Sequence, residues 1–189
     1  MKRVYVDTNL ILSAFRKQDD NYKLMETIRS LKHLKLISST LAIIEMYVVL
    51  LREQETMLLT FQQLVSKKEF EKYASLPLDL KIMLAIDFLL NYYNIEIVED
   101  SQLDIISLKM EKIKIHPIYK MVLNTIIRTQ LRTLDLLHYS YVKYFLYYKE
   151  MLIHYLVTSD IVFQKARTDL KNDSSVIIVS PETLIDLER

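Results

Sequence analysis

No glycine occurs anywhere in the 189 residues. At ordinary usage, about 7%, roughly 13 would be expected. Glycine enters left-handed backbone without a steric penalty. Every tight turn here must therefore use Asn, Asp, Ser or ordinary residues that avoid or tolerate positive φ, including those at Asp19-Asp20 and Asn172-Asp173. The gap also excludes chemistries. A Walker-type loop and a G-x-G-x-x-G turn both need glycine where backbone approaches phosphate closely. Cysteine is absent too, which removes zinc ribbons and thiol redox sites. A chain like this meets phosphate only through side chains and a metal.

The length suits one domain spanning 1–189, and 51% hydrophobic with 26% charged residues describes a globular chain. A net charge of +1 gives no bulk signal for nucleic acid, yet leaves room for a basic rim around an acidic site. The most apolar stretch, Leu36 to Leu51, is bounded by Lys35 and Arg52 and interrupted by Glu45. It falls short of the run of about 18 residues that a spanning helix needs. Asp7 and Asn9 end the apolar N-terminus too early for a signal peptide. No membrane contact is expected, and the missing cysteines suit the cytoplasm.

Short apolar runs alternate with helical periodicity. Val4–Val6, Leu34–Ile37, Ile95–Val98, Tyr155–Val157 and Val176–Val179 read as strands. Helices are expected from Leu10 to Phe15, after a cap at Asp20 or Asn21, from about Thr40 towards Glu71, and over Leu78–Tyr93. Others are expected around Leu103–Ile113 and Ile118–Glu150, over Ile161–Leu170, and after Pro181. This alternation predicts an α/β fold: three layers, α/β/α, around a central parallel sheet of about five strands. The stretch around 52–93 reads as inserted helices.

Ligands of open parallel sheets bind outside the carboxyl ends of the strands. Asp7 follows the first strand and Asp160 the fourth. Each also suits the N-cap of the helix that follows it. Glu45 is the only charge in Leu41–Leu50. It reads either as the one exposed position of a helix or as a buried carboxylate that needs a partner, a proton or a metal. Asp135 is spaced to pair with Arg132 or His138. His138 reads as the edge of an amphipathic face. His33, His116 and His154 are scattered and offer no zinc set.

These four acids, in this order, resemble the PIN-domain family, which includes the VapC-like ribonucleases. Val4-Tyr5-Val6-Asp7-Thr8-Asn9 is similar to the opening strand and first acidic motif, and Ser38-Ser39 followed by Ala42-Ile43-Ile44-Glu45 to the second. Leu134-Asp135-Leu136-Leu137-His138 is similar to the third, an Asp-x-x-His. Leu156-Val157-Thr158-Ser159-Asp160 with Phe163 is similar to the fourth, and Val176–Glu182 to the closing strand and helix start. The chain departs in a long gap between Glu45 and Asp135 and in a bulky helix carrying Tyr139, Tyr141, Tyr144, Phe145, Tyr147 and Tyr148.

The resemblance implies a Mg²⁺- or Mn²⁺-dependent endoribonuclease that cuts single-stranded RNA to leave 3′-hydroxyl and 5′-phosphate ends. Asp7, Glu45, Asp135 and Asp160 would be its catalytic and metal residues. Thr8, Asn9, Thr158 and Ser159 would support them, since carboxylate ligands are oriented by neighbouring donors. Arg16, Lys17, Arg128, Arg132, Lys165 and Arg167 are candidates for RNA contact. Many small members are toxins held by a cognate antitoxin, others process RNA, and many form homodimers. Two other readings remain. One is a non-catalytic PIN-like scaffold for RNA or a protein partner, suggested by the tyrosine-rich helix and the middle helices. The other is a helical interaction protein with no such site.

Overall fold

The computed structural model describes all residues except 17–18, 65, 101–103, 109–110, 127–128, 130 and 171–174. In chain order the elements are β1 (Lys2–Val6), α1 (Thr8–Leu12) with a 3-10 turn (Ser13–Phe15), α2 (Asp20–Ser30), β2 (Leu34–Ser39), α3 (Thr40–Arg52), α4 (Gln54–Leu64) and α5 (Lys67–Ala74). There follow α6 (Leu78–Tyr93), β3 (Ile95–Val98), β4 (Asp104–Leu108), β5 (Glu111–Ile115), α7 (Pro117–Ile126) and α8 (Thr133–Tyr148). The chain closes with β6 (Tyr155–Val157), α9 (Ile161–Lys165), α10 (Arg167–Leu170), β7 (Ile177–Val179) and α11 (Pro181–Glu188).

Five strands form one parallel sheet in the order β3-β2-β1-β6-β7. Successive side chains of a strand point to opposite faces, and the core divides accordingly. Val4 and Val6 join a cluster with Ile11, Met25, Met46, Ile86 and Leu184, from α1, α2, α3, α6 and α11. Tyr5 points the other way, into a cluster with Tyr139, Phe145, Phe163 and Leu170 from α8, α9 and α10. The result is the expected three-layer α/β/α architecture. The bulky α8 is a buried helix whose Tyr139, Tyr144 and Phe145 are fully enclosed.

The differences from expectation have local causes. Leu103–Ile113 was expected as a helix, but β4 and β5 form an antiparallel hairpin there. The alternation Lys112-Ile113-Lys114-Ile115 has period two, the signal of a strand. The helix expected over Ile118–Glu150 is two helices. The second starts where Arg132 is extended (ψ 159°) and the Asp135 carboxylate accepts from the Arg132 backbone N–H. The stretch from Thr40 towards Glu71 is three helices, and Ile161–Leu170 is interrupted at Ala166. The cap of α2 is Asp19, whose side chain accepts from the Asn21 N–H, one residue earlier than expected.

Among the described residues, positive φ occurs only at Asn94 (54°) and Glu150 (49°). Asn94 is the left-handed C-cap of α6, a position for which Asn is the usual substitute for glycine. The Asp19-Asp20 turn avoids positive φ, with Asp19 at −74°. Asn172-Asp173 lies outside the described residues. Glu150 has no such dispensation, since a Cβ in this region costs about 1–2 kcal/mol. Glu150→Gly is expected to raise stability by about 0.5–1 kcal/mol, less glycine's own entropic cost, as read by thermal denaturation.

The C-terminal helix is tied to the sheet through Glu188. Its carboxylate accepts from Lys2 Nζ (2.7 Å) and the Tyr155 hydroxyl (2.6 Å) and contacts His33 Nε2 (3.0 Å). Burial pushes its pKa up, but these donors outweigh it and hold the carboxyl below its usual value. A depressed carboxyl stabilises the fold above its unfolded pKa, and that contribution is lost as pH falls through the folded value. The melting-temperature gap between wild type and Glu188→Gln should therefore be open at neutral pH and close in acid. Among the described residues, no helix is long and apolar enough to cross a membrane.

Candidate active site

Strand order reverses direction beside β1. From β1 the chain steps outward through β2 to β3, then returns to β6 on the other side of β1. The crevice at such a switch point, beyond the strands' carboxyl ends, is where open α/β sheets bind ligands. Asp7 leaves β1 there and Asp160 follows β6. The two strand ends are joined by the Asp7 N–H donating to the Val157 carbonyl (3.1 Å).

Asp7 and Ser39 are residues of good capping type at the N-caps of α1 and α3, yet neither side chain caps. The Asp7 backbone carbonyl accepts from Leu10 N (3.1 Å) and Ile11 N (3.4 Å), so the cap geometry exists while the carboxylate is left for other contacts. Its Oδ2 accepts from Thr158 Oγ1 at 2.8 Å, and its Oδ1 lies 3.5 Å from His138 Nε2. Burial raises the Asp7 pKa. His138 and Thr158 pull it down, and the Glu45 charge adds to the rise.

Glu45 sits on α3 beside the buried stripe Ala42, Met46 and Leu50. Its side chain is 17% exposed, and it has the partner that its apolar surroundings demand. Oε2 accepts from Thr8 Oγ1 at 2.5 Å and from His138 Nε2 at 2.7 Å. Burial works against the charge, but these bonds and the imidazole prevail and hold the Glu45 pKa below its usual value.

His138 is the residue that sequence reading misplaced. It is no amphipathic edge: its side chain is 3% exposed and bridges Glu45 and Asp7. Burial lowers its pKa, but the bond to Glu45 and the charges of Asp7, Glu45 and Asp135 win and raise it. Its other nitrogen, Nδ1, is 2.7 Å from the Tyr5 hydroxyl, which is 2.8 Å from Ser39 Oγ. The Asp-x-x-His spacing was the available signal, since it places both side chains on one helix face.

Asp135 and Asp160 complete the acidic set. Asp160 is a true cap, its Oδ1 accepting from Val162 N (2.7 Å) and Phe163 N (3.2 Å). Burial raises the Asp135 pKa, and the charges of Asp160 and Asp7 add to it. All four carboxylates line one cavity of about 520 Å³, with Thr8, Asn9 and His138. Thr8 donates to Glu45 and Thr158 to Asp7, and Thr158 and Ser159 both lie outside the cavity lining. Its walls are apolar, including Leu41, Ile44, Val48 and Leu134, and Arg52 and Arg132 are its cations.

The remaining basic candidates divide. Arg16 is paired with Glu53 at 2.6 Å. Lys165 and Arg167 line a separate cavity with Ser180 and Thr183. Lys17 and Arg128 lie outside the described residues. Arg52, which the sequence reading did not select, is in the acidic cavity.

The donor chemistry fits a hard divalent cation. It is an all-oxygen set in which burial first, and neighbouring negative charge second, raise the Asp7 and Asp135 pKa values, a cost that a bound cation relieves. Among the described residues, no three acids or histidines converge closely enough to share one ion as they stand.

No match was found among curated proteins. Among solved structures, a chain of VapBC2 from Rickettsia felis, in a complex bound to a DNA fragment from their promoter, superposes with a TM-score of 0.48 at 14% identity. The match covers 94% of this chain and 98% of that one. The sequence model of the PIN domain matches residues 4–169. With the parallel sheet and the acids at its switch point, this places the chain in the PIN domain family, a family of nucleases.

Proposed function

We propose that this protein is a metal-dependent endoribonuclease that hydrolyses phosphodiester bonds in single-stranded RNA. The observation that carries the reading is the meeting of four carboxylates, from four separate parts of the chain, in one cavity at the switch point. Asp7 and Asp160 would hold Mg²⁺ or Mn²⁺ at the strand ends, with Glu45 and Asp135 completing the site directly or through water. Held by these residues, such an ion would supply charge neutralisation at the phosphoryl oxygens and a water of lowered pKa.

The chain's own residues do the rest. Thr158 fixes the Asp7 carboxylate, and Thr8 with His138 fixes Glu45. Arg52 and Arg132 draw the RNA backbone to an otherwise acidic cleft. Leu41, Val48 and Leu134 give unpaired bases an apolar wall to pack against. The exposed Ile44 (62%) and Leu134 (51%) at the same cavity suit an apolar partner segment, consistent with an antitoxin that covers the site.

The test is incubation with an end-labelled single-stranded RNA, Mn²⁺ and, in parallel, EDTA. Cleavage with Mn²⁺, its loss with EDTA, and 5′-phosphate ends are expected. Cleavage that ignores EDTA refutes the reading. RNA binding without cleavage favours the non-catalytic scaffold.

A further inference from the structure

Three hydroxyl and imidazole groups form a buried line behind the acids. Ser39 Oγ, the Tyr5 hydroxyl and His138 Nδ1 are linked at 2.8 and 2.7 Å, and His138 Nε2 continues to Glu45 at 2.7 Å. Tyr5 and Ser39 are fully enclosed. Glu45 as a carboxylate is acceptor only, so the Nε2 proton points to it. A neutral ring then accepts the Tyr5 proton at Nδ1, and a charged ring donates there to the Tyr5 oxygen while Tyr5 donates to Ser39. The tyrosine hydroxyl serves both forms, and the ring orientation is the same in each.

Two further observations indicate a purpose beyond packing. Ser39 forgoes the side-chain cap of α3, a stabilising contact for a residue of its type, and meets Tyr5 instead. Tyr5 is itself held edge-on to His138 (5.8 Å between centroids, 67°) and against Phe145 (6.2 Å). Local rules broken with a compensating contact cluster at functional sites.

We propose that Tyr5 and Ser39 are positioning residues that lock the His138 ring and, through it, aim the Glu45 carboxylate into the acidic cavity. The inference rests on the nuclease reading for its consequence, and on the hydrogen-bonded line for its substance. Outer-shell partners of this kind typically govern about 10–100-fold in metal affinity or activity.

The test uses Tyr5→Phe and Ser39→Ala in the full chain, with three readouts: Mn²⁺ affinity by calorimetry, the ¹⁵N shift of the His138 ring, and kcat and KM on single-stranded RNA. Both variants are expected to shift the ring resonance, weaken Mn²⁺ about tenfold and lower kcat comparably, with KM unchanged. Should Tyr5→Phe fail to fold, Ser39→Ala, which leaves both rings in place, decides alone. A lower melting temperature with Mn²⁺ affinity and kcat within twofold of wild type overturns the proposal, because packing alone then explains the line. A wild type that cuts no RNA, but whose Mn²⁺ affinity falls in both variants, refutes the nuclease reading and upholds the positioning role.

Discussion

Asp7→Asn is expected to abolish cleavage while making the protein more resistant to heat. Asp7 carries a buried charge whose pKa burial raises and the Glu45 charge raises further. A carboxyl raised on folding binds its proton more tightly in the native state, so its ionisation costs stability as pH climbs above the unfolded value. Asparagine removes that cost and still offers an oxygen to Thr158 Oγ1, which donates to Oδ2 at 2.8 Å in the wild type. His138 keeps its shorter contact, to Glu45. Stabilisation of about 1 kcal/mol is the usual scale when a functional residue is relieved. Loss of transition-state charge stabilisation by a metal ligand is worth several kcal/mol, or about 10³-fold in kcat. Melting curves at neutral and acid pH and Mn²⁺-dependent cleavage check both halves. The stability gain should vanish in acid, where Asp7 is protonated in both states.

His138→Ala has the opposite sign. It strips the imidazole from between Glu45 and Asp7, leaving two crowded carboxylates without their common partner. Removing one member of a buried ion pair costs about 3–5 kcal/mol. The partial exposure of Glu45 puts the expectation at the lower end, about 3 kcal/mol, or about 6–12 °C in melting temperature for a chain of this size. It also leaves the Tyr5 hydroxyl without its ring partner. Mn²⁺ should recover part of the loss, and should raise the melting temperature of the variant more than that of wild type. An unchanged melting temperature would show that the imidazole does not balance the acids.

The parts of the fold that were legible in the sequence are those fixed locally. Val4–Val6 and Tyr155–Val157 each end in an acid or a Thr-Ser-Asp turn, and α6 runs over the stretch between Pro77 and Asn94 that periodicity marks. Glu45 declared itself as one charge amid apolar residues. The hairpin at 104–115 was hidden because its alternation is short and its first half, Asp-Ile-Ile-Ser-Leu, fits a helix as well as a strand. The start of α8 was hidden because it depends on one carboxylate, Asp135, turning back to the Arg132 N–H. His138 was misplaced for a different reason. Its partners Tyr5 and Glu45 are 133 and 93 residues away in sequence, and it is the packing of α8 against the sheet that brings His138 to them.

The missing glycines still shape the account. Among the described residues the backbone makes its left-handed turns at Asn94 and Glu150, and the candidate site contains side-chain oxygens where other phosphate-handling folds use bare backbone. The claim that these oxygens act through a metal is tested most directly at Asp135. Its carboxylate makes one contact that Asn can reproduce, accepting the Arg132 N–H at 3.3 Å, so Asp135→Asn removes charge with little change to the fold. The measurement is Mn²⁺-dependent cleavage of single-stranded RNA by wild type and Asp135→Asn, with their melting temperatures compared. A melting temperature no lower than wild type and a rate reduced by about 100-fold or more are expected. Undiminished cleavage by a folded Asp135→Asn protein would contradict that claim.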